Sequence, residues 1–437
     1  MRLRILIGAI LMTAVLSTAR ADSTTVRQFP NGLKWIHRTV SHNRILAFQL
    51  FIPGGIIQEP LERAGLTQLM TATMVKGTAH RNALALAQEM EMLGASFGVD
   101  AQPDALAVGG QVTADKWAKT FELFEDVLLH PSFPEAEVEK ERAALLNAIH
   151  TNDEHIFNVA EELFRKTLFG EHPYGRPDEG HVESVSKLTR EDLVAWHKRQ
   201  VSPRGAVLVT VGKVPLAALA KRVESLARVW LSSETAGDRE APVSYPTISR
   251  VVEKQKEFEQ SYLMLGYPAP SVDSPHYPAV KLLNALLGGG MSSPLFRVVR
   301  EEGTLAYEVS SFYPSRREGS SFVVYAGMDP KNVGLAEEKV RSVLADFVSH
   351  PVPAQDLEDA KNYIRGHFLM DHQTNGRLAW YLGWWEFLGK GYAYDTAYAG
   401  DISKISADEI GRAAKEIMGQ PSVTVRVLSK GPVSVSP

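Results

Sequence analysis

His150 and His155 lie five residues apart, as do His367 and His372, and these are the side chains that most invite a metal-site reading. Two imidazoles grip one ion from a helix only at i,i+3 or i,i+4 spacing. Five residues rotate a helix by about 140°, so neither pair shares a face. Glu154-His155 and Glu171-His172 have no spaced partner either, and all of these read as solvated or hydrogen-bonded histidines. The chain has no cysteine, which removes thiolate chemistry and disulfides together. No GxSxG, P-loop or dinucleotide fingerprint occurs. Gly288, Gly289 and Gly290 form a run, but no Gly-Lys-Ser/Thr follows it to cradle a phosphate.

The elements that would position any such group follow from apolar periodicity. Asn31-Gly32 between "TVRQF" and "LKWIHRTV" predicts a hairpin, and "ILAFQLFI" a third strand that ends at Pro53-Gly54-Gly55. Helical spacing runs from Glu62 to Val75 and stops at Lys76-Gly77. A second helix, "ALALAQEMEMLG", leads to paired strands around Pro103-Asp104, then to helices near 115–128 and 135–150.

The same order then returns. His130-Pro131 and His350-Pro351 each break a helix pair, 220 residues apart (350 minus 130). Two capping boxes, Thr189 with Asp192 and Ser406 with Glu409, each open a helix that leads to a β-branched strand, 217 apart (406 minus 189). Two independent matches at nearly one offset indicate an internal duplication. The expected domains are 22–232 and 251–437, joined by a polar, Pro-bearing linker at 233–250. Hairpins and helices mix without strict βαβ alternation, so the expected class is α+β: two homologous domains, each a mainly antiparallel sheet with helices packed on it.

Composition narrows the setting. The chain has 437 residues, 44% hydrophobic and 22% charged, as in globular proteins, and a formal charge of −4 with no basic run gives nucleic acid nothing to bind. "MRLR", then "ILIGAILMTAVLS", then "ARA" reads as a signal peptide over residues 1–21, cleaved after Ala21. The apolar run is shorter than the ~20 residues a membrane anchor needs. The mature chain is expected to be exported, to the periplasm in a Gram-negative bacterium, with no membrane span.

Four features carry a resemblance: the duplicated halves, "GLTQLMTATMVKGT" at 65–78, "HPYGRP" at 172–177 and "LLGGGMSSPLFRVVREEGTLAY" at 286–307. Over nearly the whole mature chain the sequence resembles the pitrilysin family of inverted-zinc metallopeptidases, which includes mitochondrial processing peptidase. Active members carry His-x-x-Glu-His, two histidines four apart on one helical face with a glutamate as base, and a distal glutamate completes the zinc site. On that frame the first histidine falls at Gln68, the glutamate at Thr71 and the second histidine at Ala72. The distal glutamate falls at Ala148 within "LLNAIH". An amide, a hydroxyl and two alanines provide neither ligands nor a base, so no cofactor is expected in this chain.

Arg300 and Tyr307 are retained. The resemblance implies that this pair projects toward the zinc site across a central cavity. There the Tyr hydroxyl donates to the oxyanion on the scissile carbonyl and the guanidinium holds the substrate backbone or orients the Tyr. Outside that context an R-x₆-Y spacing would be a helix-end charge and a sheet residue. Ser293 and Pro294 are the expected N-cap and first residue of the helix carrying Arg300, with Gly303 as its stop. Gly288, Gly289 and Gly290 let backbone N–H groups approach an extended peptide, or else simply connect two helices. Trp380 and Trp384 share a helix face, a domain-packing stripe with substrate or partner contact as the alternative.

Some family members are heterodimers in which one subunit holds the metal and the other completes the peptide chamber. The resemblance therefore implies the non-zinc subunit of an exported heterodimeric metallopeptidase, inactive alone. A zinc-bearing homologue would be its partner, short peptides their substrates, and Arg300 and Tyr307 would act in trans. The alternative is a scaffold or peptide-binding homologue with no catalytic contribution.

Overall fold

The computed structural model describes residues 23–232 and 242–430. The expected signal peptide, 1–21, and positions 233–241 of the expected linker lie outside the described residues.

The first half runs β1 (Thr24–Gln28), β2 (Lys34–Arg38), β3 (Ile45–Pro53), α1 (Leu66–Met74), α2 (Ala83–Leu93), β4 (Ser96–Ala101) and β5 (Ala105–Thr113). It continues through α3 (Trp117–Leu129), α4 (Glu135–Glu154), α5 (Ile156–Phe169), α6 (Val182–Val185), α7 (Arg190–Gln200), β6 (Val207–Val211) and α8 (Leu216–Val229). The second half runs β7 (Arg250–Lys256), β8 (Ser261–Ala269), α9 (Tyr277–Gly288), β9 (Ala306–Phe312), β10 (Ser320–Met328) and α10 (Val333–Ser349). It closes with α11 (Ala354–Asp371), α12 (Asn375–Phe387), α13 (Tyr394–Lys404), α14 (Ala407–Met418) and β11 (Val423–Ser429).

The sheets repeat one another. The first is ordered β1-β2-β6-β3-β5-β4 and the second β7-β11-β8-β10-β9, the same arrangement without the outer hairpin strand. Each is mixed, with one parallel pair, β2 beside β6 and β7 beside β11, among antiparallel neighbours. The central strands β3 and β8 begin 216 residues apart (261 minus 45), close to the offsets of the two sequence matches. Both capping boxes form, with Thr189 Oγ1 accepting from the Asp192 N–H and Ser406 Oγ from the Glu409 N–H.

Two helices cross between the halves. On α5, Val159, Phe164 and Leu168 bury their side chains against Met264, Val423 and Val425 of the second sheet. Its duplicate α12 returns the arrangement: Ala379 and Leu382 pack on Ile36, Val207 and Val209 of the first sheet. Glycine permits both contacts. A Cβ on Gly266 would lie 2.5 Å from the Phe164 ring, and one on Gly383 would lie 2.8 Å from the Phe51 ring. Trp380 and Trp384 stack on each other at 5.3 Å and pack against Phe51, the packing stripe expected of them. Polar ties finish the α12 docking, with Asn375 Nδ2 donating to the Ile45 carbonyl at 2.7 Å and Lys34 paired with Glu386 at 2.5 Å.

Candidate functional site

Leu66, Leu69, Met70 and Met74 recur at helical spacing and are buried, which fixes α1 against the first sheet. The helix starts later than its periodicity implies. Leu61–Arg63 forms a separate 3₁₀ turn, and Gly65 at φ 93° breaks the run because a Cβ there would lie 2.5 Å from the Glu179 carbonyl oxygen. Glu59, buried, supplies the cap in place of the missing local residue, accepting the Gly65 and Thr67 N–H groups at 2.9 and 2.5 Å. Burial pushes its carboxyl pKa up to about 7 against the pull of Thr67, Gly65 and Arg176. Lys76, just past the other end, is tied to Glu141 of α4 at 3.0 Å.

The peptidase frame is therefore assembled, with α1 packed on α4. Gln68 and Ala72 are half-buried on one helical face, Ala148 is exposed on α4, and Thr71 is buried with its hydroxyl donating to the Gln68 carbonyl at 3.1 Å. This donor set does not fit zinc. Among the described residues no group of three or more His, Asp or Glu side chains is placed to hold a metal ion. His150 and His155 are exposed, His367 lies against the Tyr363 ring, and His372 bonds to Asp395 at 2.9 Å and to the Phe368 carbonyl at 2.6 Å. Past Ala148, a cleft of about 520 Å³ opens between the end of α4, α5 and residues 177–183.

The second candidate cluster hangs from α9. Ser293 Oγ accepts the Phe296 N–H at 3.3 Å, as an N-cap does, and Pro294 follows it. The turn does not continue as an α-helix. Phe296–Glu301 is a π-helix, sealed by the Glu302 N–H donating to the Arg297 carbonyl at 2.8 Å. One extra residue per turn shifts the angular position of everything after it by about 100° relative to an α-helix, and such bulges concentrate at functional sites. Arg300 emerges exposed, its guanidinium 4.9 Å from the Phe296 ring and in no ion pair among the described residues. Tyr307, at the start of the edge strand β9, is 55% exposed. Both groups are thus available to an outside ligand, and no hydrogen bond joins them.

The glycine run divides. A Cβ on Gly288 would lie 2.4 Å from Ser311 N and Oγ, and the Gly288 carbonyl accepts from Ser310 Oγ at 2.8 Å. A Cβ on Gly289 would lie 2.5 Å from the Ala285 carbonyl oxygen. Close packing of α9 on β9 explains Gly288, and the tight C-terminal turn of α9 over Ala285 explains Gly289. Gly290 alone faces open space.

"HPYGRP" turns out to be a buried joint between the halves. The Tyr174 hydroxyl donates to Asp104, and the Arg316 guanidinium from the other half lies 4.4 Å from the Tyr174 ring. Burial raises the Tyr174 and Asp104 pKa values and lowers that of Arg316. No local pattern in the sequence pairs this motif with Arg316, 142 residues on (316 minus 174).

Comparison with known proteins bears on the whole arrangement. Residues 38–180 match the family described as Insulinase (Peptidase family M16), and residues 187–364 match Peptidase M16 inactive domain. An uncharacterized zinc protease of Streptomyces coelicolor is 25% identical over 432 residues, 95% of this chain and 93% of that protein. The uncharacterized zinc protease YmxG of Bacillus subtilis is 23% identical over 80% of this chain and 85% of its own length. Among solved structures, a peptidase M16 inactive domain from Pseudomonas fluorescens superposes with a TM-score of 0.87 at 22% identity, covering 94% of this chain and 99% of that one. A protease from Helicobacter pylori gives 0.86 at 17%, covering 93% and 99%. With both halves matched in sequence and the fold shared almost end to end, this chain belongs to peptidase family M16, the pitrilysin family.

Proposed function

We propose that this chain is the non-zinc subunit of an exported heterodimeric metallopeptidase and that a homologous, zinc-bearing partner completes it. The reading is carried by one contrast. The four zinc-motif positions are occupied by Gln68, Thr71, Ala72 and Ala148, whereas Arg300 and Tyr307 are kept and both exposed. Family members provide the frame, and a division of labour accounts for the lopsided retention.

The partner's zinc would supply Lewis-acid chemistry. This chain would contribute Tyr307 as an O–H donor to the oxyanion developing on the scissile carbonyl and Arg300 as a clamp on the adjacent peptide backbone. Gly290 leaves its backbone open to an extended substrate, with Gly288 holding that loop on β9. The substrates would be short unfolded peptides, and in a Gram-negative cell the assembly would work in the periplasm.

The test mixes the purified chain with a homologue bearing an intact His-x-x-Glu-His and follows cleavage of a quenched peptide. Tyr307→Phe should lower turnover by ~10²–10³, and Arg300→Ala should also lower it, with both complexes still co-eluting. Unchanged rates in both variants would end the in-trans role and leave a scaffold that binds peptide or partner without catalysis.

A further inference from the structure

Behind the glycine loop, α9, β9, α11 and α13 enclose a cleft of about 300 Å³ that the proposed chemistry does not use. Its lining holds one cation and no carboxylate. Lys281 Nζ donates to the Tyr313 carbonyl at 2.9 Å and lies 5.3 and 5.0 Å from the Tyr277 and Tyr313 ring centroids. It forms no ion pair among the described residues. An ammonium has three N–H donors, so two remain after Tyr313. Burial pushes its pKa down to about 8.

Two more polar groups at the same cleft lack partners. Asn284 Oδ1, one helical turn along α9 from Lys281, is buried with no donor to accept from among the described residues. Tyr398 is only 7% exposed, and its hydroxyl makes no hydrogen bond among the described residues. Asn284 Oδ1 is therefore an acceptor open to a donor brought by a ligand. Tyr363 and Ile364 supply the apolar part of the wall.

We infer that this cleft binds an α-carboxylate flanked by an N–H donor, the chemistry shared by the C-terminal residue of a peptide and a free α-amino acid. The carboxylate would sit on Lys281 Nζ and the Tyr398 hydroxyl, the neighbouring N–H would donate to Asn284 Oδ1, and the side chain would lie along Tyr363 and Ile364. Inorganic phosphate meets the charge, and near pH 7 it can donate an O–H to Asn284, but it has no side chain to lie along Tyr363 and Ile364. The site belongs to this chain alone and stands or falls independently of any zinc-bearing partner.

Isothermal titration of the isolated chain near pH 7 tests it with four probes: N-acetyl-Ala-Leu, the same dipeptide as its C-terminal amide, free leucine and inorganic phosphate. The free-acid dipeptide or leucine should bind at least tenfold more tightly than the amide and phosphate. Which of the two binds better assigns the site to peptide ends or to free amino acids. Lys281→Met and Asn284→Leu should each weaken binding at least tenfold with unchanged circular dichroism. Should either disturb folding, Tyr398→Phe removes one hydroxyl only and should weaken binding severalfold. Equal binding of acid and amide, phosphate binding as tightly as the acids, wild-type affinity in folded variants, or no binding by any probe would each overturn the inference.

Discussion

Gln68, Thr71, Ala72 and Ala148 show how little of a metal site survives when only its frame is retained. Because α1 still packs on α4, restoring the side chains together should restore the function of the frame. The combined substitution Gln68→His, Thr71→Glu, Ala72→His and Ala148→Glu is expected to bind zinc at one equivalent by elemental analysis, while Gln68→His alone binds none. Sub-stoichiometric zinc in the folded quadruple variant would show that the helices have drifted as well. A second residue-scale expectation concerns pH. Desolvation depresses the pKa of His37 and of His197 to about 4, so both fold neutral. The unfolded chain therefore binds more protons between about pH 4 and 6.5, and these two make stability rise with pH there. Glu59, raised to about 7, acts oppositely between about pH 4.5 and 7, since it is the folded state that holds the extra proton. The separable expectation is the difference: Glu59→Gln removes one opposing group, so it should make Tm rise more steeply with pH, or fall less, between pH 4.5 and 6.5 than in the parent chain. An unaltered slope would mean that Glu59 keeps its charge across the window.

Elements were legible where local chemistry decides them. Capping boxes, the Asn31-Gly32 turn and the strand alternations depend on neighbours a few residues away, and they formed as read. The misjudged start of α1 came from a contact 114 residues distant (179 minus 65), the Glu179 carbonyl that requires Gly65 to bear no side chain. The π-helix before Arg300 left no mark in the sequence either, since "LFRVVREE" has ordinary helix formers throughout. The Lys281 cleft escaped notice for the same reason: a lysine on an apolar helix reads as a surface residue until tertiary packing places tyrosines around it. Glycines test the element-level account in both directions. Gly266→Val drives a branched side chain into Phe164 and should cost about 3 kcal/mol or more, in the upper range for overpacking. Gly366 lies inside α11 with nothing within 4 Å of an added Cβ, so Gly366→Ala should stabilise by about 0.4–1 kcal/mol. Urea titrations of both variants measure these shifts, and a neutral Gly266→Val would show that α5 sits loosely on its sheet.

At the scale of the molecule, the duplication was readable from two offsets, but the exchange of α5 and α12 was not, because repeat spacing says nothing about which copy a helix covers. The exchange makes each half incomplete. Expressed alone, residues 22–232 would leave the first sheet without α12 and α5 without a surface to cover. Separate fragments 22–232 and 242–437 are therefore expected to be poorly folded, and the two co-expressed should recover one particle with the native circular dichroism spectrum and a single thermal transition. A cooperative transition in 22–232 by itself at the full-length Tm would contradict this. The same crossing has a mechanical result. A body riveted twice, once in each direction, cannot part its halves without tearing both rivets. If a second polypeptide closes a chamber over this chain, as proposed, its entrance would lie along the seam between the two, and the rate of admission would be set by how firmly they grip each other.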